Sequence, residues 1–284
     1  MSAIANSAFL VKLNISVWSA SKRNKTLEQE LAASKNADPR ATRLYDNLMI
    51  GSAGHNDIQK YAANARLWHT TMTLPWDDKG YRLCPTSLFI DYKAQHNWKR
   101  QEFENMVTNF ESMYSVYRTI AEGYRGLMFN ADDYPPVGEV MSKYAWNFVV
   151  APVPTSGHLC IDLPEQEMRE LRAACDGEVD RKIQEAVKES EHRLRKQLDQ
   201  ISAKCAEGGD DDDKRWHDTF ISNPLELCRM LKHMNVTNDP KLEEARKKLE
   251  EIMEGKTTEM FKEQPKVREG VKKEVDEIIK TYEW

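Results

Sequence analysis

Residues 103–127 read FENMVTNFESMYSVYRTIAEGYRGL. Apolar side chains recur at three- and four-residue steps through Phe103, Met106, Val107, Phe110, Met113, Tyr114, Tyr117, Ile120, Ala121, Tyr124 and Leu127. That is the 3.6-residue period of an α-helix with one apolar face, and no proline interrupts it. With Ser87–Trp98 upstream, the pattern predicts a helix over residues 88–128. Its length would be about 40 residues, or roughly 60 Å at 1.5 Å per residue. So aromatic and methionine-rich a stripe reads as core packing; a peptide- or base-binding groove is its rarer use.

A second long pattern covers residues 165–206. Leu171, Cys175, Val179, Ile183, Val187, Leu194, Leu198, Ile201 and Cys205 recur every three to four residues, with a weak step at Ser190/Glu191. The positions between are mostly charged, as in a narrow coiled-coil-like seam. Asp162 is placed to cap this helix, with Pro164 in the first turn and Glu165 in a capping-box relation. The expected cover for the seam is the first long helix, lying antiparallel. Self-association is the other way to satisfy it. Val179, Ile183, Leu194, Leu198 and Ile201 are therefore the partner-interface candidates.

Outward from the helices, residues 9–18 (FLVKLNISVW) alternate Leu13, Ile15 and Val17 with polar residues, a strand signal. Trp146, Phe148 and Val150 alternate within 145–153, and PTSG (154–157) leads to a return strand at 158–163, which together predict a hairpin. The N-terminal strand is its third member. Residues 40–49 and 56–72 read as helical, separated by Gly51 and Gly54. The segment 73–86 reads as a loop pinned by Leu74 and Trp76. Residues 129–143 form a turn-rich crossover. In the tail, Asn223 with Pro224 and Asp239 with Pro240 mark helix starts. The expected fold is mainly α (α+β): two long antiparallel amphipathic helices, a small antiparallel sheet of N-terminal strand plus hairpin, and a short helical tail. The expected domains are a main body over 1–206, an acidic linker over 207–215 containing Asp210–Asp213, and a helical segment over 216–284.

The 284 residues are 40% hydrophobic and 31% charged, a balance suited to long, salt-bridged helices. A net charge of −5 gives no global attraction to nucleic acid or anionic lipid. No apolar run approaches the length of a membrane span. Met1–Leu13 lacks the charged start and apolar core of a signal peptide. Five widely spaced cysteines argue against a disulfide framework and for a reducing cytoplasm.

No phosphate loop, GxGxxG, GxSxG or HExxH motif is present. His158 and Cys160 face one side of an expected strand, but two ligands do not make a metal site. A metal-dependent nuclease needs clustered carboxylates. Asp91 and Asp162 lack such company, and Asp77, Asp78, Asp132 and Asp133 read as turn residues. The expectation is a chain that is not an enzyme and takes no cofactor or metal. Nucleic-acid binding needs cations beside stacking rings. The best candidates are Trp18, Lys22, Arg23 and Lys25, extended by Arg40 and Arg43. Trp98, Lys99 and Arg100 form a second patch.

Five stretches carry a resemblance: LNISVWSASKRNK (13–25), TLPWDDKGYRLCP (73–85), FNADDYPP (129–136), VVAPVP (149–154) and NVTNDPKL (235–242). Together with the order of elements, they resemble an uncharacterised accessory-protein family encoded by tailed phages and integrative elements of bacteria. The resemblance covers nearly the whole chain. It implies a setting among early and DNA-metabolism genes, alongside AAA+ ATPase and recombination genes, in the host bacterial cytoplasm. It supplies no catalytic residues. The leading expectation is a non-enzymatic phage or mobile-element accessory protein. It would dock its long helices on copies of itself or on a phage or host protein, an AAA+ ATPase among the candidates, with no membrane. The alternative is a nucleic-acid-binding accessory factor in phage DNA replication, recombination or protection from host defence.

Overall fold

The computed structural model describes residues 7–159, 163–206 and 216–282. The chain is mainly helical with a small antiparallel sheet. In chain order, β1 (Ala8–Ser16) and β2 (Ser21–Arg23) precede α1 (Lys25–Ser34), β3 (Tyr45–Asn47) and α2 (Ala53–Thr71). A short pair, β4 (Leu74–Pro75) and β5 (Arg82–Pro85), leads into α3 (Thr86–Arg125). Then come α4 (Val137–Met141), β6 (Ala145–Pro152) and α5 (Glu165–Ala206). Four helices close the chain: α6 (Thr219–Met234), α7 (Pro240–Met253), α8 (Thr258–Glu263) and α9 (Pro265–Thr281). The two long helices have 40 and 42 residues; α5 matches its expected span, and α3 stops three residues short of 128, where Gly126 at φ +50° opens a 3-10 turn, Gly126–Met128.

The main sheet has the order β4-β5-β1-β6. β5 runs antiparallel to β1, from Ala8↔Pro85 to Val11↔Arg82, and antiparallel to β4 through Leu74↔Leu83. Two expectations are corrected here. The loop assigned to 73–86 is a hairpin, because Leu83 and Cys84 find backbone partners on β1 that a three-residue apolar run could not announce. Its turn is held by Asp77, whose carboxylate accepts from the N–H groups of Lys79 and Tyr81, and by Gly80 at φ +93°. The expected hairpin at 145–163 does not form within the described residues. β6 takes β1 as its neighbour, and Ser156–His158 is a single 3-10 turn. Residues 160–162, including Cys160 and the Asp162 cap, lie outside the described residues.

Residues 40–49 are not helical. Pro39–Ala41 is a 3-10 turn capped by Asp38, and β3 pairs with β2 in a separate ribbon, Ser21↔Asn47 to Arg23↔Tyr45. The ribbon supplies this segment with cross-strand backbone partners on β2 that its local sequence does not reveal. In the tail, Pro224 lies inside α6, which starts earlier, at Thr219. Asp239 does cap α7, accepting from Lys241 and Leu242 N–H, with Pro240 in the first turn.

Two compact units are present, and their boundaries fall inside β1, α3 and β6. The first comprises Met1–Lys12, Thr70–Tyr92 and Val149–Trp284. Its interior is made by α5. Leu194, Leu198, Ile201 and Cys205 pack with residues of α6, α7 and α9, such as Leu231, Leu249 and Val275. Val179, Ile183 and Ala186 pack with Leu74, Trp76 and Leu83 of the hairpin. Arg193 donates to the carbonyls of Thr70, Thr71 and Thr73, which lie where α2 runs out of helical partners.

The second unit comprises Leu13–His69 and Lys93–Phe148. Ile58, Ala62 and Ala65 of α2 meet Phe103, Phe110 and Tyr114 of α3, with Trp18, Val140 and Trp146 completing the core. Each long stripe finds its cover inside its own unit. The α5 seam is covered by α9, α6, α7 and the hairpin, and the α3 aromatics by α2, β1 and the crossover.

Candidate docking surface

The second unit is built to hold the C-terminal half of α3 still. Arg125 pairs with Asp46 of β3 at 2.7 Å, with both side chains nearly buried. Asp46 also accepts from Asn24, and Asp133 takes an ion pair from Lys22. This network ties the end of α3 to the β2–β3 ribbon and to the crossover turn. Tyr114 Oη donates to the Pro135 carbonyl at 2.8 Å. Deeper in, His55 is 3% exposed and its Nδ1 lies 3.1 Å from Tyr144 Oη. Burial pushes the His55 imidazole down to about 4, so it is neutral at pH 7. His96 Nε2 lies 2.9 Å from Trp146 Nε1. An indole N–H only donates, so that nitrogen accepts and His96 is the neutral Nδ1–H tautomer. Burial holds its pKa below the usual histidine value, with Lys93 and Arg100 adding to the effect.

Beside this buried face, roughly 90° around the helix, α3 presents an uncharged one. Met113, Val116, Ile120 and Tyr124 stand at steps of three and four and are all exposed, Tyr124 at 68%, and Leu127, in the 3-10 turn Gly126–Met128 just beyond the helix, is fully exposed. Between and beside them lie exposed Ser112, Ser115, Thr119 and Gly123. The charged residues of the same stretch, Glu111, Arg118, Glu122 and Arg125, sit roughly 140–180° around the helix from Ile120 at 3.6 residues per turn. Trp98 continues the exposed row toward the N-terminus at 59%. In a chain with 31% charged residues, so long an uncharged solvent face departs from the usual polar back of an amphipathic helix.

The C-terminal end of this face is seated on the loop before α2. A Cβ on Gly51 would come within 2.7 Å of the Tyr124 ring and 2.8 Å of Ile120 Cγ2. Gly51 also has φ +79°, so glycine is required there twice over, by space and by conformation.

The sequence-predicted site residues fall elsewhere. Val179, Ile183, Leu194, Leu198 and Ile201 are buried by the chain itself, between 0 and 6% exposed, and are core rather than partner interface. The reason is the tail: helices α6, α7 and α9 supply the apolar faces that the seam needs. Only the first turns of α5, Glu165–Glu178, contain no buried residue, and there Leu171 stays 37% exposed.

Trp18 is also core, edge-on to His55 at 5.8 Å and to Tyr114 at 6.3 Å. A ring of that size gains more from burial than from solvent. The cations after it are largely spoken for: Lys22 by Asp133, Arg23 by buried Glu28 through a bidentate pair, and Arg40 by Asp38. Lys25 opens α1 exposed, and Arg43 is exposed with its charge acting on Glu28. The structure thus does not gather Trp18, Lys22, Arg23, Lys25, Arg40 and Arg43 into one open basic surface.

The second patch assembles only in part, because Arg100 is drawn off to Glu104 at 2.7 Å. Lys99 Nζ lies 5.3 Å from the Trp68 ring centre and 5.4 Å from that of Trp98, and Lys93 lies over Phe148. Burial lowers the Lys99 pKa. Gln95 accepts from the Trp68 indole, fixing that ring.

Among the described residues, no group of three or more His, Cys, Asp and Glu stands ready to hold a metal ion. Among them also, no helix is long and apolar enough to cross a membrane. His158 as a ligand and the Asp210–Asp213 run lie outside what is described.

The α3 face was missed because its apolar residues were counted as core. The available signal was the neighbours: Ser112, Ser115, Thr119 and Gly123 leave more than half the circumference without charge, wider than the roughly 100° a core stripe needs. No family model, no curated protein and no solved structure matches the chain.

Proposed function

We propose that this is a non-enzymatic interaction protein that docks a helix of another polypeptide on the exposed face of α3. The observation that carries this reading is the uncharged, partly apolar row from Met113 to Tyr124 left in solvent on an otherwise well-tied helix and continued by Leu127 in the turn after it. A preorganised helix face accepts a partner helix without the entropy cost of ordering itself. On the family resemblance, the setting is a phage or mobile element in a bacterial cytoplasm, with a phage or host protein, an AAA+ ATPase included, or a copy of itself as partner.

A photo-crosslinking residue at Val116, introduced in cells, tests this. A discrete protein adduct that disappears when Leu127 is replaced by Glu supports the docking role. Absence of any protein adduct, with the variant well folded, overturns it.

A second reading, nucleic-acid accessory binding, is supported by exposed Trp98 beside Lys99. Single-stranded DNA would stack a base on Trp98 and neutralise a phosphate with Lys99. Gel shifts at low and high salt test it: salt-sensitive binding weakened by Trp98→Ala supports the reading, and no binding at low salt removes it.

A further inference from the structure

The occupant of the α3 face can be argued further, and this inference rests on the docking role just proposed. We infer that the face is covered by α3 of a second copy of this chain, running antiparallel about a two-fold axis level with Arg118.

Three observations point to a copy rather than a different partner. The first is the charge distribution. The unit that carries the face holds 14 Lys and Arg against 12 Asp and Glu, whereas the other unit holds 27 against 34. The chain's net charge of −5 therefore resides in the unit that does not bear the face. Two copies meeting through α3 bring together near-neutral surfaces and no like charges. A highly charged partner would find no ionic recognition there.

The second observation is self-complementarity of size. In an antiparallel pair centred on Arg118, residues equidistant from the centre come level with one another. Met113 then lies level with Gly123, Tyr124 with Ser112, and Ile120 with Val116. Met113 and Tyr124 thus each meet a small residue, while Ile120 and Val116 meet each other on either side of the axis, one register repeated by the two-fold as an isologous contact requires. Shifting the axis by one turn toward Glu122 loses this, because Ile120 then comes level with Tyr124.

The third is area. The exposed apolar side chains from Met113 to Met128 form a patch on the order of 600 Å² per copy. Two such patches together reach the ~1,200 Å² at the lower end of specific interfaces. Tyr124, at 68% exposure and seated on Gly51, is the natural anchor, since tyrosines dominate such contacts.

Size-exclusion chromatography with light scattering on the full chain is the first test. A mass twice 32.9 kDa that dissociates on dilution is expected. Leu127→Glu and Ile120→Glu should each yield the monomer. Leu127 is fully exposed, so its variant keeps the fold even if Glu at Ile120 disturbs the Gly51 loop; circular dichroism of both checks this.

Spin labels then read the direction. An antiparallel pair separates labels at Asn105 by ~40 Å and those at Met113 by ~20 Å, from 1.5 Å rise per residue. A parallel pair gives one short distance at both sites and overturns the inference. So does a dimer that survives Leu127→Glu, or a chain monomeric at every concentration. A monomer that still forms a Leu127-dependent adduct with a different protein overturns only the second copy and leaves the docking role standing. Loss of every adduct removes both.

Discussion

The two long helices of this protein solve opposite problems. α5 carries a thin seam, and from Val179 to Cys205 the fold buries all of it but Val187, which is half-buried. Its solvent side is charged and internally paired, as in Arg181 with Glu178 and Glu185, or Arg195 with Asp199. α3 carries a broad apolar face, and the fold covers only the side that bears Phe103, Phe110 and Tyr114. The rest, from Met113 to Leu127, stays in solvent without charges around it. The contrast teaches that the amount of apolar surface on a helix does not say where a partner docks. What matters is how much of it the rest of the chain can reach.

The sharpest way to break the comparison is truncation. Leu198→Ala on α5 and Phe110→Ala on α3 remove side chains at 0 and 1% exposure and should each cost about 2–5 kcal/mol in urea unfolding. Ile120→Ala, on the exposed row, should stay within about 0.5 kcal/mol. Equal losses at all three positions would mean that the α3 row is core after all.

Next in size is the staple at the end of α3. Arg125→Met leaves Asp46 nearly buried without its cation and should destabilise by about 3 kcal/mol. A silent substitution would mean that the face is not held by this network.

Acid distinguishes the two units. The folded His55 pKa of about 4 lies below the unfolded value of 6.5. Its contribution is complete above pH 6.5 and is lost as pH falls from 6.5 to 4, by up to roughly 3 kcal/mol. His96 acts in the same direction. Unfolding followed at the core of the second unit should weaken across that window, and His55→Gln should flatten the slope. An unchanged slope in that variant refutes the assignment.

Along α5 itself, cysteine reactivity maps cover. Burial pushes the Cys205 thiol up to about 11, whereas Cys175 is half-buried near the uncovered end. In a Cys160→Ser background, Cys175 should be alkylated at least about ten-fold faster than Cys205. The smallest effect belongs to the exposed charges: Arg181→Ala should change stability by less than about 1 kcal/mol.

Much of this was legible in the chain alone, because the helical period is a local property. The run from Phe103 to Leu127 and the run from Leu171 to Cys205 fix two long helices and name their apolar stripes without reference to anything distant. The strand at Leu13–Val17, the Asp239–Pro240 cap and the pinning of Leu74 and Trp76 are equally local. Three-dimensional structure alone decided which stripe is covered. Ala8 pairs with Pro85 and Ser21 with Asn47, pairings that no local pattern encodes. Val275 and Leu249 close over Leu198, whereas Ile120, though it rests on the Gly51 loop, stays 37% exposed among the described residues. Periodicity sets the direction in which a side chain points from its helix. Whether it meets protein or water depends on segments far away in the sequence, and so the docking face became visible only once the fold was complete.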